Sequence, residues 1–235
     1  MADFINTIDT LGDDIVADSI IDGSITEFRD DVVTSVGNYA FYKCDKLEVV
    51  ELPNVVSLGQ IVFYSCAALK VVSLPKLASI AYNTTNNGAF KGCKSLETIS
   101  LPGIVKLDDA ATFYGCSALK DVDLPNFETG GREHQYVGCT SLRILRLPKF
   151  RGTIGQLWFQ NCSALIALVL GSEAICSLGT TNAFTNSPIA SGTGYIYVPR
   201  ALVDTYKAAT NWSTYASQFR VLEDYTVDGT TTRTM

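Results

Sequence analysis

Seven cysteines, one histidine and two aspartate pairs are the residues of this 235-residue chain whose types could do chemistry. Zinc binding needs ligands paired at close spacing, such as CxxC, but Cys44, Cys66, Cys93, Cys116, Cys139 and Cys162 recur about once per 23 residues. Thiols stacked on neighbouring turns and pointing the same way also suit the near-perpendicular disulfide torsion poorly. These six are expected to be buried thiols that act as small apolar residues. Cys176 lies outside their register, and the sequence leaves its reactivity open.

His134, in GGREHQY, has no second histidine to form a metal pair and is the one residue on which a histidine-based triad would depend; it is expected to be a solvated loop residue. Ser141 and Ser163 occupy ordinary repeat slots and lack a GxSxG elbow. Asp108 with Asp109, and Asp121 with Asp123, match no calcium-loop or glycosidase spacing and are expected to be solvated carboxylates. The chain is therefore expected to have no catalytic residue, metal or cofactor, and not to be an enzyme.

What positions these residues is a repeat. FYKCDKLEVVELPNVVSLG is followed by FYSCAALKVVSLPKLASI, FKGCKSLETISLPGIVKL, FYGCSALKDVDLPNFET, YVGCTSLRILRLPKF and FQNCSALIALVLGSEAICSLG. All share an aromatic, two residues, Cys, two residues, Leu, then an aliphatic and a Leu at alternate positions. Successive cysteines are 22, 27, 23, 23 and 23 residues apart, and the excess falls in a polar insertion at Asn83–Asn87. A degenerate seventh unit has Phe184, Ser187 and YIYVP. Alternating apolar residues before a proline predict one short strand per unit. Pro53, Pro75, Pro102, Pro125, Pro148 and Pro199 lack the amide hydrogen needed to continue a ladder. One unit cannot bury both of its faces, so the units must stack and be capped.

Stacking predicts columns. Phe41, Phe63, Phe90, Phe113, Tyr136, Phe159 and Phe184 are expected to form a buried spine. The outward strand positions form one column of Val49, Val71, Thr98, Asp121, Ile144 and Ala167, and another of Glu51, Ser73, Ser100, Asp123, Arg146 and Val169. This concave face is the candidate binding surface. Tyr42, Tyr64 and Tyr114 join it, because residues next to spine aromatics cannot also point inward and could offer an edge to sugars. A neighbouring column of Glu48, Lys70, Glu97, Lys120 and Arg143 alternates in sign through its first four residues and is expected to stabilise the stack.

The ends are atypical. Residues 1–31 hold nine acids and one base, with Ile5, Ile8, Leu11, Ile15 and Ile20 at helical spacing, and are expected to be an acidic helical cap in which SITEF adds an imperfect opening strand. Repeats are expected over 32–199, a second helical cap over 200–225 with Leu202, Tyr206, Ala209, Trp212 and Tyr215, and a flexible tail over 226–235. Eighteen bases against 24 acids give no footprint for phosphate backbones, so nucleic acid is not an expected partner. No eighteen-residue uncharged apolar window predicts membrane insertion, and the start MADFINTIDTLGDD lacks the pattern of a signal peptide.

SVGNYAFYKCDKLEVVELP resembles the IGxxAFxxCxxLxxIxLP unit of BspA-like leucine-rich repeats over roughly residues 25 to 199, and IYVPRALVDTYKAATNW is similar to the terminal cap of many bacterial members. The resemblance implies an α/β solenoid, a right-handed superhelix with short parallel strands on one face and irregular or 3-10 turns on the other, capped at both ends. A parallel β-helix is the competing architecture, but it would need three strands per turn where these units supply one strong strand. Family members are bacterial surface proteins with adhesive roles, and related arrays occur in phage and prophage genes. The expected function is thus non-enzymatic binding of a protein or cell-surface glycan, in a phage- or prophage-associated setting. Such a protein would be cytoplasmic when made and then virion-associated. The alternative is an adhesin-like surface protein that reaches the cell surface by another route and binds host extracellular proteins. Neither ligand identity nor oligomeric state follows from the sequence.

Overall fold

The computed structural model describes residues 10–11, 25–82, 86–224, 226–227 and 230–231. Its main element is a nine-stranded parallel sheet whose strand order follows the sequence. The strands are Glu27–Arg29, Val49–Glu51, Val71–Ser73, Thr98–Ser100, Asp121–Asp123, Ile144–Leu147, Ala167–Leu170, Tyr195–Val198 and Phe219–Val221. In the first seven, the second residue (Phe28, Val50, Val72, Ile99, Val122, Leu145, Leu168) is buried against the core. Its neighbours point to the other face, as strand alternation requires.

The three-residue spacing of the motif is a hydrogen-bond pattern. Cys44 N donates to Phe41 O and Leu47 N to Cys44 O, and the same pair of turns recurs at Cys66, Cys93, Cys116, Cys139 and Cys162. Aromatic, Cys and Leu are therefore the corners of two successive β-turns, which aim all three side chains inward. The spine rings stack face to face from Phe41 to Phe184, with centroids 5.0–5.7 Å apart and planes within 14°. Edge-on rings close both ends of the stack, Phe28 at 67° and Tyr215 at 75°.

Cysteine does more here than fill space. Cys66 Sγ donates to Phe41 O at 2.9 Å, and Cys93, Cys116, Cys139 and Cys162 donate to the spine carbonyl of the preceding rung at 3.0–3.1 Å. Each of these buried carbonyls accepts one bond from its own turn and one thiol from the next, so both its lone pairs are used.

The convex side is less irregular than expected. Two-residue strands pair in parallel there: Thr10–Leu11, Ser35–Val36, Ser57–Leu58 and Ser79–Ile80 form one ladder, Lys106–Leu107 pairs with Thr129–Gly130, and Thr153–Ile154 pairs with Ser177–Leu178. The first break in this ladder falls at the rung carrying the insertion. The second falls where Gly130 and Gly131 adopt positive φ and the Trp158 ring closes on Gly131, leaving 2.2 Å for a Cβ.

The ends correct several expectations. Leu11, expected in a helix, lies in a strand paired with Ser35–Val36, because the open edge of a ladder offers hydrogen bonds that helical spacing alone cannot match. The rest of that expected helix lies outside the described residues. The opening strand is present as Glu27–Arg29 paired with Val49–Glu51, so the sheet begins inside the segment expected to be cap. At the other end, Val203–Ala208 is helical and Trp212–Gln218 is 3-10, but Phe219–Val221 then pairs with Tyr195–Val198 as a ninth strand. Thr226–Val227 pairs antiparallel with Thr230–Thr231 within the segment expected to be a flexible tail.

Candidate binding surface

The expected columns are in register. Glu51, Ser73, Ser100, Asp123, Arg146 and Val169 follow one another across the sheet, continued by Tyr197 and Arg220. In the parallel column Val49 lies opposite Val71, and Thr98, Asp121, Ile144, Ala167 and Tyr195 follow in succession. Their exposure divides the face into three zones. At the start, Arg29 is paired with both Glu51 and Glu27, so Glu51 is already engaged. In the middle Val71, Ser73, Thr98, Ser100, Asp121 and Asp123 are all exposed. At the end the face is closed, because Ala167 and Val169, at 3% and 1% exposure, form a small second core with Ile144, Tyr197 and Leu222.

Val169 is thus no ligand contact. The segment after the ninth strand folds Leu222 over it, which removes apolar surface from water. Asp123 and Arg146 are register neighbours but make no ion pair; Asp123 instead accepts from Ser100 Oγ at 3.2 Å. The alternating charge column forms the pairs Glu48–Lys70 and Glu97–Lys120, both at 2.7 Å. All four groups are exposed, so each pair contributes little.

The three candidate tyrosines lie elsewhere, along the turn edge. Tyr42 and Tyr64 stack with centroids 5.3 Å apart, and Lys91 takes the equivalent slot one rung on, 5.9 Å from Tyr64 and 4.8 Å from Tyr114. The ring faces between Tyr42 and Tyr64, and the faces of Tyr64 and Tyr114 toward Lys91, are therefore occupied by neighbours on this ladder.

A profile of the BspA type leucine rich repeat region matches in six copies over residues 21–126 and 83–193. The chain belongs to this family. Leucine-rich repeat proteins of known structure resemble it at low identity. A leucine rich cell surface protein from Faecalibacterium prausnitzii is 26% identical with a TM-score of 0.56, the match covering 71% of this chain and 44% of that one. A leucine-rich repeat protein from Eubacterium ventriosum is 25% identical with a TM-score of 0.58, covering 70% and 43%. This chain thus spans less than half the length of either. No curated protein matches it.

Within the BspA-type array the chemically capable residues take structural places. The seven cysteines are free and buried. Cys176, whose reactivity the sequence leaves open, is fully buried; burial pushes its thiol up to about 12, and its backbone N–H and C=O bond Tyr206 Oη at 3.0 Å and Trp212 Nε1 at 2.8 Å. It locks the closing segment to the last rungs. His134 is half-buried rather than solvated, with φ 65° in the slot that Tyr39, Ile61, Ala111 and Leu157 fill in other rungs at similar positive φ. Among the described residues no group of three or more His, Cys, Asp or Glu could hold a metal ion.

Asp108 and Asp109 part company. Asp108 is exposed beside Lys106 at 3.0 Å, whereas Asp109 is fully buried and accepts from Ala89 N at 2.9 Å. Burial raises its carboxyl to about 7 against those hydrogen bonds. Its own carbonyl accepts from the buried Gln135 at 2.6 Å. Asp109 thus ties the rung after the insertion to its neighbour, and two adjacent identical side chains carry no sign of which one faces inward.

Proposed function

We propose that the protein is a non-enzymatic, adhesin-like binding module that docks a protein partner on the open middle of its concave face. The observation that carries this reading is the contiguous exposed set Val71, Ser73, Thr98, Ser100, Asp121 and Asp123, held on a rigid sheet between an ion-paired zone and a closed one. A single apolar side chain among small hydroxyls and two carboxylates suits a partner bearing basic groups, and the stretch has no aromatic platform for a sugar ring. The surface setting of the Faecalibacterium neighbour supports placement at a bacterial surface over a phage- or prophage-associated one. No helix among the described residues is long and apolar enough to cross a membrane.

The test is surface plasmon resonance of the full chain against a panel of host extracellular proteins and bacterial surface extracts, beside Thr98→Arg/Asp121→Lys/Asp123→Lys. A saturable partner lost by at least ~10-fold in the variant, with an unchanged melting curve, fits a central contact patch. A partner that binds both forms equally places recognition elsewhere.

A further inference from the structure

The turn edge of the early rungs is rich in lysine. Lys43, Lys46, Lys91 and Lys94 stand there with one carboxylate, Asp45, in a chain of net charge −6. The next acids along the strands, Glu48 and Glu97, are already bonded to Lys70 and Lys120. Among the described residues, Lys43, Lys46 and Lys94 have no carboxylate within ion-pair distance, and all three are exposed. Lys91 is held by Asn86 O and Asn87 Oδ1, both at 3.1 Å, between the Tyr64 and Tyr114 rings.

We infer that this edge is a binding strip for an extended acidic polysaccharide, one bearing carboxylate, sulfate or phosphate groups along its length. The strip consists of donors in a line, ammonium groups and phenol edges, with Asp45 as the one opposing charge. At ~4.8 Å per rung the Lys43–Lys46 and Lys91–Lys94 pairs lie about 10 Å apart, a separation that a linear polyanion can bridge and a single small anion cannot. Stacking of Tyr42 on Tyr64 and insertion of Lys91 between Tyr64 and Tyr114 fill the gaps between these rings into which the bases of a single strand would insert. The strip ends where the edge becomes uncharged: Ser117, Thr140 and Ser163 each donate to the backbone of the preceding rung. This surface is separate from the concave face, so the inference stands or fails independently of the protein partner proposed above.

The experiment is fluorescence anisotropy of labelled dextran sulfate, polygalacturonate, uncharged dextran and oligothymidylate, titrated with the full chain at low and physiological ionic strength. The expected result is binding of both acidic polysaccharides that weakens with salt, and none of dextran. Lys43→Gln/Lys46→Gln/Lys94→Gln is expected to lose at least ~10-fold in affinity. The charge-matched control Lys70→Gln/Lys120→Gln/Lys149→Gln, which removes lysines already bonded to Glu48, Glu97 and Asn126, is expected to stay within about 2-fold. Equal loss in the control, equal binding of dextran, no binding of either acidic polymer, or oligothymidylate binding as tightly would each overturn the inference. Unchanged melting of both variants keeps a folding defect from imitating the result.

Discussion

Across the same rungs the aromatic slot holds Phe or Tyr seven times in succession, whereas the two outward columns of the concave face never hold the same pair of residues twice. The difference lies in what each side chain touches. A spine ring packs on the ring above and the ring below, so every choice constrains the next. A concave side chain has a neighbour to either side and solvent in front, so the fold tolerates almost any residue there. Uniform columns therefore report stability, and variable exposed columns are where recognition can reside.

The sharpest way to break this comparison is to truncate one residue of each kind in the same rungs. Phe113 is stacked at 5.7 Å on Phe90 and 5.4 Å on Tyr136, so Phe113→Ala should cost ~3–5 kcal/mol in urea unfolding. Because stability in a stacked array depends on nearest-neighbour interfaces, the same change should also lower cooperativity across the rungs on either side. Asp121→Ala should move stability by no more than ~0.5 kcal/mol. A concave substitution as costly as the spine substitution would show that the face is structural.

The next largest effect concerns Asp109, a fully buried carboxylate on the spine's side of this divide. Asp109 has a folded value of about 7 against an ordinary 3.8, so between those values the native state holds a proton that the unfolded chain gives up. Stability from this group is therefore greatest below about pH 4 and falls as pH rises to 7. Asp109→Asn should match the wild type in acid and be more stable above pH 7 by a few kcal/mol, since each tenfold change in proton affinity on folding is worth ~1.4 kcal/mol. Melting temperatures of both proteins across that range check it, and a constant difference would mean that the carboxyl titrates normally.

How far the sequence speaks follows the same division. The spine, the strand ending at proline and the register of the columns were all legible, because each follows from a period that six units repeat. Asp109 was not, since it lies in the rung after the insertion, where the period gives no inside or outside. Closure over Val169 was not legible either, because Leu222 comes from beyond the repeats and its contact is long-range. The thiol bonds were hidden for another reason: a periodic cysteine looks the same in sequence whether it only fills volume or also donates, and a donor aimed at a spine carbonyl emerges only once the turns are built.

Those thiols give a smaller effect. Cys116→Ala leaves Phe90 O with one bond and opens a small cavity, at ~1–3 kcal/mol, whereas Cys116→Ser keeps a donor and should recover part of that loss. Equal stability of the two variants would reduce the thiol to its volume. Native protein should also show no thiol reactivity, since all seven are buried and burial raises Cys116, Cys162 and Cys176 to about 12.

The smallest expected effect is a gain. The residue before each cysteine slot has positive φ in all seven units: Lys43, Ser65, Gly92, Gly115, Gly138, Asn161 and Asn186. Glycine and asparagine suit that conformation, but Lys43 and Ser65 carry a Cβ strained by about 1–2 kcal/mol. Ser65 has φ 58°, and among the described residues its hydroxyl makes no hydrogen bond, so Ser65→Gly removes the strain without removing a contact of consequence. Against this, glycine loses more chain entropy on folding, which leaves a net gain of ~0.5–1 kcal/mol, readable as a higher urea midpoint. The reverse change, Gly115→Ala, has room for its Cβ, with the nearest atom 3.9 Å away, but φ is 74° there, so it should lose a similar amount. If Ser65→Gly destabilised while Gly115→Ala did not, the slot would be governed by side-chain contact and not by backbone conformation, and the turn edge would belong with the variable columns.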